Sequence, residues 1–412
     1  MRGSRRIVRA VRLRGQKSAA ATLVAVVVAL SACTSSNVPS SLPATTQSPS
    51  VMPSATASPT ASAIPSPSGA MLASGAVLPD CVPGEPPPSA TVTFVAEGHA
   101  WALNPSGGEL TCLFAVDEAG PFAWGPLGDR VLLSGLGVKG VAGGPSLATS
   151  AEAVTAVTWS RPTGTAILYA PGAGASLKKL FINGAPTQDV TPVPSARYLS
   201  VAYHPSGEAF AFAIDRSDGQ SVWLSTNLGA KPAAMVFSTE GTKFGTMGFD
   251  VDGKHLIYAA QHADNHAELH SIDITDTTKA PVVWEGPVGR TIPELFPGPT
   301  TGTVAWTTST ASTESTASCE ESVAMVRTEA GSKPALPDAV GSTRAIGWLD
   351  ASHVLVAAGG CDGPLDLTAV DLTSGSIVPL VSGVALAAAR APVPTPAAAL
   401  PKNVALQGSG FS

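Results

Sequence analysis

Val201-Ala-Tyr-His-Pro-Ser-Gly-Glu-Ala-Phe-Ala-Phe212 and Met247-Gly-Phe-Asp-Val-Asp-Gly-Lys-His-Leu-Ile-Tyr258 are two copies of one pattern. An apolar strand ends in an aromatic residue, a turn with Pro, Asp or Gly follows, and a second apolar strand begins. The turn needs these residue types: Gly reaches positive φ without a steric cost and Asp caps a tight turn through its side chain. The same pattern recurs at Phe122–Leu133, Val157–Tyr169, Ile346–Ala357 and, more weakly, Leu295–Trp306. The aromatic anchors are Trp124, Trp159, Tyr203, Phe249, Phe296 and Trp348, spaced by 35, 44, 46, 47 and 52 residues.

A period of ~40–50 residues is that of a four-stranded propeller blade. Most copies continue as a blade should, with third strands at 179–182, 222–224, 269–272, 323–326 and 367–370 and a fourth at 376–380. One such sheet cannot bury both faces, but a ring of them can. The expected fold is therefore all-β: a beta-propeller. Phe94–Leu103 opens the series, so the six anchors and this unit predict seven blades. Six is the alternative, because Gly137–Ser150 shows no clear third strand. A pair of beta-sandwiches is the competing fold. Tyr203-His-Pro-Ser-Gly207 and Phe249-Asp-Val-Asp-Gly253 resemble the TolB-like beta-propeller family, whose blades read roughly aromatic-Ser-Pro-Asp-Gly. The resemblance covers most of 91–384 and implies a fold; propellers host binders and enzymes alike.

The chain begins differently. Seven basic residues precede position 18, and an apolar run from Ala19 to Leu30 is broken only by Thr22. Twelve helical residues reach ~18 Å, short of the ~30 Å hydrocarbon core. That is the form of a signal peptide at 1–32. It ends in Leu30-Ser31-Ala32-Cys33, which resembles a bacterial lipobox. The resemblance implies that Cys33 takes a thioether-linked diacylglycerol and becomes the new N-terminus, because a thiolate is the nucleophile this chemistry needs. Ser4-Arg5-Arg6 is only a faint twin-Arg signal. Thr34 to Pro79 carries no charge and is Ser, Thr, Pro and Ala with a few aliphatics. Such a stretch buries too little to offset its ordering entropy, so 33–79 is expected to be a disordered tether. The propeller is expected at 80–385 and a flexible Ala/Pro-rich tail at 386–412.

Composition excludes several functions. The chain's 412 residues include 41 Gly and 36 Pro, and only 13 % are charged, which argues against a coiled coil, an all-helical fold or a basic nucleic-acid binder. Seven of the 24 basic residues lie in the leader. Without them, 17 face 30 acidic residues, a net charge of −13. An acidic body disfavours nucleic acid and anionic lipid, so membrane attachment would come through the Cys33 acyl chains.

Four of the five cysteines lie in the body and allow three pairings. Cys319 and Cys361 fall in equivalent loops of neighbouring blades, which favours a bridge between them. Cys81 and Cys112 would then join the start of the body to its first unit. Disulfides imply an oxidising, extracytoplasmic compartment.

No catalytic constellation stands out. Gly359-Gly-Cys-Asp-Gly363 imitates a nucleophile elbow, but a strand and not a helix follows it. Asp250-Val-Asp-Gly253 resembles half of a calcium loop and reads better as the blade turn. His262, His266 and His270 recur every four residues around Asp264 and Glu268. The segment joins two strands, so His262 and His266 are expected in a hairpin loop with His270 on a strand. A metal site on His262, Asp264 and His266 is the minor reading; a solvated polar loop is preferred, and no cofactor is expected. The favoured function is a lipid-anchored extracytoplasmic propeller that binds an envelope protein or peptide. The alternatives are an enzyme, a lyase or hydrolase with its site in the channel, or a small-ligand or metal-binding lipoprotein.

Overall fold

The computed structural model describes residues 70–404 apart from 107, 117–121, 134–135, 142–145, 151–152, 227–232, 240, 277, 287–288, 290, 310–321, 340, 360–362, 391–396 and 403. Every regular element among the described residues is a β-strand, and these form seven antiparallel sheets. The fold is a seven-bladed beta-propeller. The leader, Cys33, most of the tether, Cys319 and Cys361 lie outside the described residues, and among the described residues no helix is long and apolar enough to cross a membrane.

Blades 2 to 7 follow the chain, each opening on its inner strand. Those strands are Ala123–Trp124, Val154–Trp159, Arg197–Tyr203, Thr242–Phe249, Thr291–Pro297 and Thr343–Trp348. Five of the six aromatic anchors are the last residue of an inner strand; Phe296 is next to last. The second strands read as near-continuous apolar runs because neighbouring blades cover both faces. In blade 4, Phe210, Phe212 and Ile214 pack toward blade 3, while Ala211 and Ala213 pack toward blade 5. Large residues on one face and small ones on the other let wedge-shaped sheets fit around a ring. Register shifts interrupt the pairing of inner and second strands in blades 3 to 7. Bulges of this kind increase local twist, and the sequence pattern does not announce them.

Blade 1 closes the ring. Val92–Ala96, His99–Leu103 and Leu110–Ala115 supply its outer three strands, and Leu386–Ala389 supplies the inner one, with Val92 opposite Ala389 and Val95 opposite Leu386. Phe94–Leu103 is thus the second and third strands of a blade whose first comes from the far end of the chain. This corrects the boundary at 386: the start of the expected tail is a structural strand. The boundary at 80 moves as well. Met71–Leu72 pairs with Val381 and Ser382 on the outer edge of blade 7, and Ala70 and Leu78 are buried there. From that edge the chain crosses to blade 1, where Cys81 is disulfide-bonded to Cys112. The seam between the first and last blades is therefore held at the centre by Leu386–Ala389 and at the rim by residues 70–84.

Among the described residues, blade 2 has three strands, the third at Gly137–Gly140, and one bridge between Val138 and Ala148.

Candidate functional site

The two ends of the blades differ. At one end lie the turns between inner and second strands, and these lock neighbouring blades together. In the turn of blade 4, Gly207 has φ +75°, and a Cβ there would lie 1.8 Å from the Arg161 carbonyl oxygen of blade 3. Only glycine permits that approach. His204 is fully buried, and its Nε2 donates to the Gly253 carbonyl of blade 5 at 2.8 Å. A carbonyl accepts only, so that nitrogen carries the proton, and burial pushes the imidazole below its ordinary pKa. Asp250 is fully buried and receives N–H donors from Val251 at 2.7 Å and from Gly302 of blade 6 at 2.9 Å. Burial raises its carboxyl above the usual range, against the pull of those two bonds. Arg390, just after the closing strand, lies over Gly128 and donates to the Leu127 and Pro88 carbonyls.

The chain's own C-terminal segment also reaches this end. Ala398 lies against the Gly253 turn, and Val404 packs on the core shared by blades 4 and 5.

At the other end lie the hairpins between second and third strands. The hairpin of blade 5 carries a cluster of titratable groups. Its second strand runs His255–His262 and its third Ala267–Asp273, joined by a tight loop in which Asn265 takes φ +65°. Tyr258 pairs with His270, Ala260 with Glu268, and the His262 N–H donates to the His266 carbonyl. Alternate residues of a strand share a face, so Tyr258, His262, His266, Glu268 and His270 all project to one side.

Glu268 is the hub. Its Oε2 lies 2.6 Å from His270 Nε2 and 3.0 Å from His262 Nε2, and its Oε1 lies 3.4 Å from His266 Nε2. Burial pushes the Glu268 carboxyl up, but hydrogen bonds from His270 and His262 together with their charge outweigh it and hold it below the usual carboxylate range. The His262 and His266 rings stack at 4.5 Å and 11°. Asp264 holds His266 Nδ1, and the Tyr258 hydroxyl lies 3.5 Å from His270 Nδ1. Behind the cluster, Phe237, Phe244 and Tyr258 form an aromatic ladder.

The expected hairpin loop is there, with Ala263, Asp264 and Asn265 exposed and His266 outside the strands, but its start differs. His262 ends a strand instead of lying in a loop. The four side chains are half-buried and converge. Glu268 and His270 join His262 at the centre, while Asp264 orients His266 from outside and does not belong to the central group. The signal in the sequence was the alternation His266-x-Glu268-x-His270, which a strand places on one face.

Asp250, Asp252 and His255 form a second close group. Its oxygens are already engaged: Asp250 binds Val251 and Gly302, and Asp252 Oδ1 accepts from Lys254 and His255 N–H at 2.8 and 3.2 Å. With Gly253 at φ +67°, it is the blade turn. Of the elbow-like Gly359–Gly363 run, Gly359 ends one strand and the next strand begins at Leu365, while Gly360, Cys361 and Asp362 lie outside the described residues.

No protein-family model and no curated sequence matches the chain. Among solved structures, it is similar to TolB from Agrobacterium tumefaciens, at 14 % identity and TM-score 0.44 over 58 % of this chain and 86 % of that one. It is similar to TolB from Acinetobacter baumannii at 10 % identity and TM-score 0.43, over 74 % and 67 %. A prolyl endopeptidase matches at 11 % identity and TM-score 0.49, over 73 % of this chain and 50 % of that one.

Proposed function

We propose that the chain is a lipid-anchored, extracytoplasmic binding module that presents the second-to-third-strand hairpins of its propeller to an envelope protein or peptide. The observation that carries this reading is the asymmetry of the two ends. The inner turns are engaged in blade-to-blade packing, and Ala398 lies against the Gly253 turn with Val404 on the adjacent core. The opposite hairpins keep exposed tips, at Ala173 in blade 3, Ser217 in blade 4 and Asp264 in blade 5. Loops clustered on a rigid ring are a ready docking surface.

The point of attachment agrees with this. The described chain enters on the outer edge of blade 7 and so blocks neither end of the ring. From an acylated Cys33, the segment to Ala70 could extend at most ~130 Å, ample to hold the body clear of a bilayer. Several acyl chains make such an anchor durable, each buried CH₂ contributing ~0.8 kcal/mol.

Photo-crosslinking tests the surface. A reactive side chain at Ala173 or Ser217 is expected to give discrete envelope adducts. The same group at Thr163 or Lys254, exposed on the inner turns, is expected to give none. Adducts from the inner-turn positions alone would reverse the assignment.

A further inference from the structure

We infer that His262, His266, Glu268 and His270 form a binding site for a divalent late transition metal, with zinc as the fitting ion. The site lies on one of the hairpins of the docking surface proposed above, but the inference does not depend on that reading.

The donor set comes first. Imidazole nitrogens and a carboxylate oxygen suit zinc, and three histidines with one glutamate supply the four donors of a tetrahedral site. The spacing follows. Zn–N and Zn–O bonds of ~2.0–2.2 Å place tetrahedral ligand atoms ~3.3–3.5 Å apart. The nitrogens of His262, His266 and His270 lie 3.0, 3.4 and 2.6 Å from the Glu268 carboxylate oxygens. The donor atoms of His262, Glu268 and His270 all lie within 4.8 Å of one another. A displacement of under ~1 Å brings the Glu268 separations of His262 and His270 to zinc geometry; His266 lies outside that group, reaches only the other Glu268 oxygen, and must swing further to complete the set.

The surroundings orient the donors. The Asp264 carboxylate receives His266 Nδ1, and Tyr258 faces His270 Nδ1. Partners on Nδ1 leave Nε2 as the donor aimed at the centre, which is the arrangement that supports metal-bound histidines. The four ligands sit on two paired strands and the tight turn between them, backed by aromatic rings, and this rigid support keeps them convergent. The side chains of His262, His266, Glu268 and His270 are 30, 32, 18 and 13 % exposed, which leaves an entry path from solvent. Glu268 ion-pairs with imidazoles only among the described residues, so a bound cation would supply the positive charge that no lysine or arginine brings to it.

The test uses the full chain, stripped with a chelator and titrated with zinc chloride against a chromogenic competitor. Saturation at one zinc per chain is expected. His270→Ala should abolish it, and Asp264→Asn should weaken it ~10-fold through the lost orientation of His266. Failure of the native chain to take up zinc, or equal affinity in His270→Ala, would overturn the site. Cobalt(II) added to the unmutated chain gives a second readout that no folding defect can confuse. The intense visible absorption of four-coordinate cobalt supports the site, and the pale spectrum of six-coordinate aqueous cobalt contradicts it.

Discussion

Gly207→Ala is expected to destabilise the propeller by about 4 kcal/mol, against about 1 kcal/mol for Gly302→Ala. The two glycines occupy equivalent turns and nearly the same backbone, at φ +75° and +78°. A left-handed conformation alone costs an alanine ~1–2 kcal/mol. The positions differ in what a Cβ would meet. At Gly302 nothing lies within 4 Å, whereas at Gly207 the Arg161 carbonyl oxygen lies 1.8 Å away and the carbonyl carbon 2.7 Å. Both are backbone atoms of the preceding blade and cannot rotate aside. The only relief is to part blades 3 and 4, which opens the core shared by Leu168, Tyr198, Phe210 and Phe212. Overpacking of that kind adds ~1–3 kcal/mol or more. Denaturant unfolding of the two variants decides the matter. Equal losses would mean that the turn glycines serve backbone conformation alone and do not set the blade joints.

A chain ending at Val384 is expected to lose at least about 4 kcal/mol relative to one ending at Arg390. Both lack residues 391–412, so the comparison isolates the closing strand. Without Leu386–Ala389, the backbone of Val92–Val95 loses its inner partner. Unpaired buried backbone groups cost ~1–3 kcal/mol each, and several are orphaned together. Arg390, which caps the Gly128 turn, goes with them. The bared strand is also an edge open to pairing with another chain, so the shorter protein should oligomerise as well as unfold earlier. Thermal unfolding with light-scattering chromatography reads both effects. Matching midpoints and a monomeric shorter chain would show that Leu386–Ala389 does not hold the ring.

The repeat was readable because its signal is local. An aromatic residue, a turn glycine and an apolar run fall within about a dozen residues, and each carries its own steric reason. The closing strand is Leu-Ala-Ala-Ala, with no β-branched or aromatic residue, and its partner at Val92 lies about 300 residues earlier in the sequence. Nothing local distinguishes it from a loose tail. Met71–Leu72 escaped for a related reason: two residues after a long polar stretch make no periodicity, and their burial comes from the edge of blade 7. The histidine segment misled in another way. A spacing of four reads as a helix face, and in a hairpin it divides the three rings between loop and strand. Only the pairing of Tyr258 with His270 and Ala260 with Glu268 shows that the even-numbered positions share a side. His204 and Asp250 were visible only as turn residues. Their reach into the next blade depends on how the turns stack around the ring.

The tethered-module reading rests on Cys33, and metabolic labelling with an alkyne fatty acid followed by membrane fractionation tests it most directly. The wild-type chain is expected to carry label and sediment with the membrane, while Cys33→Ala is expected to carry none and to leave that fraction. An unlabelled wild-type chain, or a Cys33→Ala variant that keeps its label and its place on the membrane, would contradict the proposal.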